Sequence, residues 1–67
     1  MGPKILRRRE VEALTGKSRS SLYRDMEAGT FPRPIKLSEK AVGWVESEVL
    51  AWMQARIAER DAETAAA

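Results

Sequence analysis

Residues 16–29, GKSRSSLYRDMEAG, decide how the chain folds. Ser18 is a good helix N-cap, because its hydroxyl can accept a hydrogen bond from one of the first-turn amides that have no partner within the helix. Gly29 is the matching stop, a residue that takes positive φ without steric cost. The spacing predicts a helix from about Arg19 to Ala28. Leu22 and Met26, four apart, share the inner face, while Ser20, Arg24 and Glu27 fall roughly opposite. The outer face thus begins with hydroxyls and guanidinium groups and carries acid only at its end. Together with the positive end of the helix dipole, this suits phosphates and base edges. A solvated surface helix is the alternative reading of this segment taken alone.

The neighbouring segments make the helix part of a larger unit. Upstream, Met1–Lys4 read as a loose lead-in, and Ile5 and Leu6 offer apolar cover for a core. Residues from about Arg8 to Thr15 form a short helix with Val11 and Leu14 on one face. No Ser, Thr, Asp or Asn precedes it, so its first turn is expected to fray or to borrow partners. Gly16 ends it, and only Lys17 separates that glycine from Ser18. Two helices joined so tightly match a helix-turn-helix. Downstream, Pro32 and Pro34 forbid a helix. Ile35-Lys36-Leu37 and Ala41-Val42-Gly43-Trp44 then alternate as two short strands about a turn at Ser38-Glu39-Lys40. The hairpin needs support, so Ile35 or Leu37 with Val42 and Trp44 should dock on the helices. Lys36 and Lys40 would project from it as a wing beside the groove the helix enters, or would merely keep an exposed edge soluble. From about Val45 to Arg60, Val49, Trp52, Met53 and Ile57 form one apolar stripe, marking a scaffold helix. Trp44 and Trp52 read as core, with an interaction surface as the alternative. Residues 61–67 have no apolar period and are expected to be a disordered tail. The fold class is therefore mainly α with a small β-hairpin, a winged helix-turn-helix over residues 1–60.

Composition narrows the function. Sixty-seven residues make one small domain without room for an ordinary substrate cleft. Cys and His are both absent, which removes disulfides, zinc fingers, thiolate nucleophiles and imidazole acid–base chemistry. No catalytic residues, metal ligands or cofactors are expected, and the chain does not read as an enzyme. Residues 1–40 hold ten Lys/Arg against five Asp/Glu, a balance of +5, and residues 41–67 hold two against five, a balance of −3. A basic working half and an acidic supporting half follow. There is neither a signal peptide nor an apolar run long enough to cross a bilayer, so a cytoplasmic protein without a membrane partner is expected.

Several motifs together carry a family likeness: Glu10-Val11, Thr15-Gly16, Ser18-Arg19-Ser20-Ser21-Leu22-Tyr23-Arg24, Gly29-x-Phe31-Pro32-x-Pro34, Val42-Gly43-Trp44 and Glu48-Val49-x-x-Trp52. On these residues, from about Leu6 to Arg56, the chain resembles the AlpA family of small prophage regulators, grouped with excisionases and MerR-like winged helix-turn-helix proteins. The resemblance implies that residues 18–28 are the recognition helix and 35–44 the wing. It departs at Lys17, where the family pattern usually has an apolar residue, and at the Arg7–Arg9 run, which is more basic than that pattern and is expected to add phosphate contacts.

The expected partner is double-stranded DNA. Arg24 is the candidate for base readout, since a guanidinium can donate two hydrogen bonds to guanine. Ser20 and Ser21 are short enough to meet a phosphate or base edge, and Arg19 suits a phosphate clamp. Tyr23 is expected to pack beside Phe31 with its hydroxyl reaching a phosphate. Arg33, Lys36 and Lys40 are assigned to the DNA backbone, and Arg9 is assigned from the first helix. Three functions fit: a transcriptional regulator of prophage genes, an excisionase that bends attachment-site DNA with an integrase, and a protein-interaction module without a direct DNA role. Specificity in so small a domain suggests cooperative self-association on repeated sites.

Overall fold

A computed structural model describes residues 3–66. Its elements run β1 (Ile5–Leu6), α1 (Arg8–Thr15), α2 (Arg19–Ala28), β2 (Ile35–Ser38), β3 (Ala41–Val45) and α3 (Glu46–Ala66). Three helices and a small antiparallel sheet give a winged-helix arrangement, as expected. The sheet has one strand more than the hairpin. β1 pairs with β3 in the register Ile5↔Val45 and Leu6↔Trp44, so the strand order is β1-β3-β2. Residues read as apolar cover therefore anchor the hairpin to the start of the chain.

Both helix stops act as read. Gly16 and Gly29 adopt φ of 74° and 78°, and their amides return to carbonyls of the preceding turn. The Ser18 hydroxyl accepts from Ser21 N–H at 3.2 Å, capping α2. The start of α1 borrows a partner, one of the two outcomes expected. Glu10 reaches back and accepts from the Arg7 amide at 2.9 Å, so the carboxylate half of a capping box is present without a Ser, Thr, Asp or Asn at the cap.

The core comprises Leu6, Val11, Leu22, Met26, Phe31, Trp44 and Val49, with Trp52 and Met53 packed against it. Every element except β2 contributes. Here the hairpin departs from expectation, because Ile35 and Leu37 remain 43% exposed and Val42 is also exposed, leaving Trp44 alone to dock. Of the hairpin's two strands, only β3 contributes to the core. On the outer side of the sheet, Ile5 and Leu37 close over Gly43, where any Cβ would collide with the Ile5 side chain. Leu14 and Ile57, expected in apolar stripes, are also exposed.

Two indoles fix the path from α2 to the wing. Trp44 Nε1 donates to the Pro32 carbonyl at 3.0 Å, and Trp52 Nε1 donates to that of Thr30 at 2.7 Å. Phe31, between them, packs edge-on against Trp52 with ring centroids 5.0 Å apart. This reassigns an aromatic pairing, since Phe31 partners Trp52 rather than Tyr23. The last helix also runs further than expected, through Ala66 instead of ending near Arg60. Residues 61–66 hold no glycine or proline to stop it, and alanine and glutamate favour continuation. Ala67, the end of the expected tail, and Met1 and Gly2 of the lead-in lie outside the described residues.

Candidate nucleic-acid interface

The helix-turn-helix presents α2 with a different chemistry on each side. Leu22 and Met26 are buried, and Asp25 faces the turn, where its carboxylate accepts from Lys17 Nζ at 2.5 Å. The Lys17 ammonium also lies 5.2 Å from the centre of the Trp52 ring, with Arg56 at 5.5 Å from the same ring. Lys17 thus docks in the turn with its ammonium against tryptophan and its charge already neutralised by Asp25. On the opposite, outward side, Ser20 and Arg24 are exposed, as their positions along the helix predict.

Beside this outward face lies a hollow of about 400 Å³, lined by Arg7, Arg8, Arg9, Arg19, Tyr23, Lys40 and Val42. Five cations from the start of α1, the start of α2 and the wing converge on it, and no carboxylate is among the lining residues. Arg8 is partly occupied by Glu12, 3.4 Å away. Among the described residues, Arg7, Arg9, Arg19 and Lys40 have no ion-pair partner. Such convergence is electrostatically unfavourable until an anion enters. Lys36 pairs with Val42 across the hairpin and shares the ribbon face that bounds the hollow.

Tyr23 divides this hollow from a second one of about 330 Å³, which it lines with Met26, Glu27, Arg33 and Pro34. Its ring lies beside the Arg19 guanidinium, 5.9 Å from the ring centre, and it is 41% exposed. The tyrosine therefore borders both hollows with part of its surface open to solvent. Of the residues assigned from sequence, Arg9, Arg19, Tyr23 and Lys40 line one hollow, and Arg33 lines the adjoining one. Ser20 and Arg24 lie on the outward helix face. Ser21 is half-buried and its hydroxyl is already engaged with Ser18 and Arg24. Arg7 and Arg8, read from the sequence only as part of a basic run that adds phosphate contacts, line the hollow together with Arg9. A run of three arginines ending within the first helical turn was the available signal, and Glu10 is what fixes where that turn begins.

No group of three or more metal-ligating side chains occurs among the described residues, and no described helix is long and apolar enough to cross a membrane.

Residues 4–57 match the family described as prophage CP4-57 regulatory protein (AlpA). Over 57 residues the chain is 47% identical to an uncharacterized protein, ORF88, of Enterobacteria phage P4; the match covers 85% of this chain and 65% of that protein.

Proposed function

The chain belongs to the AlpA family of prophage regulatory proteins, and from that premise we propose that it regulates by binding double-stranded DNA in a sequence-specific manner. The observation that carries this reading is the hollow in which five cations meet without a lining carboxylate, adjoining the exposed Ser20 and Arg24 face of α2. The hollow suits a run of backbone phosphates, and the helix face suits base edges. Arg7, Arg9, Arg19 and Lys40 hold the backbone, with Arg8 as a weaker member because Glu12 shares its charge. Arg33, Lys36 and the Tyr23 hydroxyl extend this contact along the same flank. Arg24 reads a base. Two or more copies on neighbouring sites supply the footprint that one small domain lacks.

Titration of labelled duplex at two salt concentrations tests the reading. Each neutralised phosphate makes the slope of log affinity against log salt more negative by about 0.9, so the four unpaired cations of the hollow alone give a slope of about −3.6. Binding that is indifferent to salt would overturn the proposal and favour an apolar protein-interaction module. Arg24→Ala should weaken binding to the preferred duplex by about 1–3 kcal/mol and blur preference at one base position. Equal loss on every sequence would remove Arg24 from base readout. Footprinting on promoter DNA beside attachment-site DNA separates a regulator of transcription from an excisionase that works with an integrase.

A further inference from the structure

Ser20 and Ser21 are adjacent and chemically identical, yet the structure treats them differently. Ser20 is exposed, and its hydroxyl makes no hydrogen bond among the described residues. Ser21 is half-buried and stands in a short chain of polar groups. The Ser18 hydroxyl, which accepts from the Ser21 amide, donates to Ser21 Oγ at 3.1 Å. Ser21 Oγ also accepts from Nη2 of Arg24 at 3.4 Å. Both acceptor positions of this hydroxyl are thereby used, one by the cap and one by the guanidinium. Arginine has a long, flexible stem, and bidentate recognition of a base needs its planar fork held in one orientation. A contact one helical turn back towards the N-terminus is well placed to limit that freedom.

We infer that Ser21 is a positioning residue that orients the Arg24 guanidinium for base readout, acting on DNA through Arg24 rather than through a contact of its own. The inference rests on the DNA-binding reading above. It reassigns Ser21 from direct contact to support and leaves direct contact to Ser20.

The probe is a duplex selected by the wild-type chain from a randomised pool, together with single-base variants of it. Ser21→Ala should lower discrimination at the Arg24-dependent position about three- to tenfold, with the unfolding midpoint little changed. Ser21→Thr, which keeps the hydroxyl, should restore it. In an Arg24→Ala background, Ser21→Ala should add nothing, whereas Ser20→Ala should keep its full cost. In the free chain, the Arg24 side-chain Nε–H resonance should move on Ser21→Ala and not on Ser20→Ala. A Ser21→Ala cost that persists without Arg24 would make Ser21 a direct contact and overturn the inference. Unchanged discrimination in Ser21→Ala, or an unmoved Arg24 resonance, would overturn it equally. If Arg24→Ala alone leaves base preference intact, the Arg24 readout itself falls, and Ser21 loses its proposed role with it.

Discussion

Lys17 and Lys40 carry the same charge on the same stem and meet opposite surroundings. At the base of α2, the Lys17 ammonium is paired with Asp25, lies against Trp52 and is less than one-quarter exposed. At the wing, Lys40 joins four arginines around a hollow with no lining acid. A count of basic residues treats the two alike. The structure separates a cation that is already satisfied within the fold from cations that still need an anion, and only the second kind speaks for a polyanionic partner. Substitutions in the first region should move stability, and those in the second should move affinity.

The largest effect belongs to the satisfied region. Trp44→Ala removes the largest fully buried side chain and the bond to Pro32, and should cost about 3–5 kcal/mol in denaturant unfolding. Retention of near-native stability would show that the sheet does not depend on this dock. Next comes the hollow. Arg19→Ala combined with Lys40→Ala should weaken binding to all duplexes alike and reduce the salt slope by about 2, with the unfolding midpoint preserved. A loss confined to one sequence would erase the division between backbone grip and base readout. The smallest effect should come from the turn. Asp25→Ala leaves the Lys17 ammonium against tryptophan without its counter-charge and should cost roughly 1–2 kcal/mol of stability. The salt slope of DNA binding should stay close to wild type. A clearly steeper slope would mean that the released lysine had joined the backbone grip, and the contrast between the two lysines would then rest on Asp25 alone.

The features legible in the sequence are those set by local chemistry. Ser18, Gly16 and Gly29 marked the helix boundaries because caps and stops depend on a few neighbouring atoms. The hairpin was legible from its alternation, and Trp44 and Val49 from their apolar spacing. What escaped the sequence depended on contacts across the fold. β1 is two residues long, too short to show any alternation, and exists because β3 has a free edge beside it. Ile35 and Leu37 have the pattern of a docking face, but β2 is an edge strand with a register shift between Lys36 and Ser38, and of the hairpin only β3 places a side chain in the core. Phe31 could have met either Tyr23 or Trp52, and nothing in its local spacing chose between them. For the interface, the outward positions of Ser20 and Arg24 followed from helical periodicity. The convergence of Arg7 and Arg8 with Lys40 required the wing to fold back beside α1, which no local pattern reports.

The two indole bonds to Pro32 and Thr30 end on main-chain oxygens, so the anchorage they give is blind to which side chains occupy those positions. The bracket that aims α2 can persist while the outward positions of that helix drift. Grafting new residues at 20 and 24, with the caps, Leu22, Asp25 and Met26 retained, should therefore redirect the domain to a different operator without redesigning its frame.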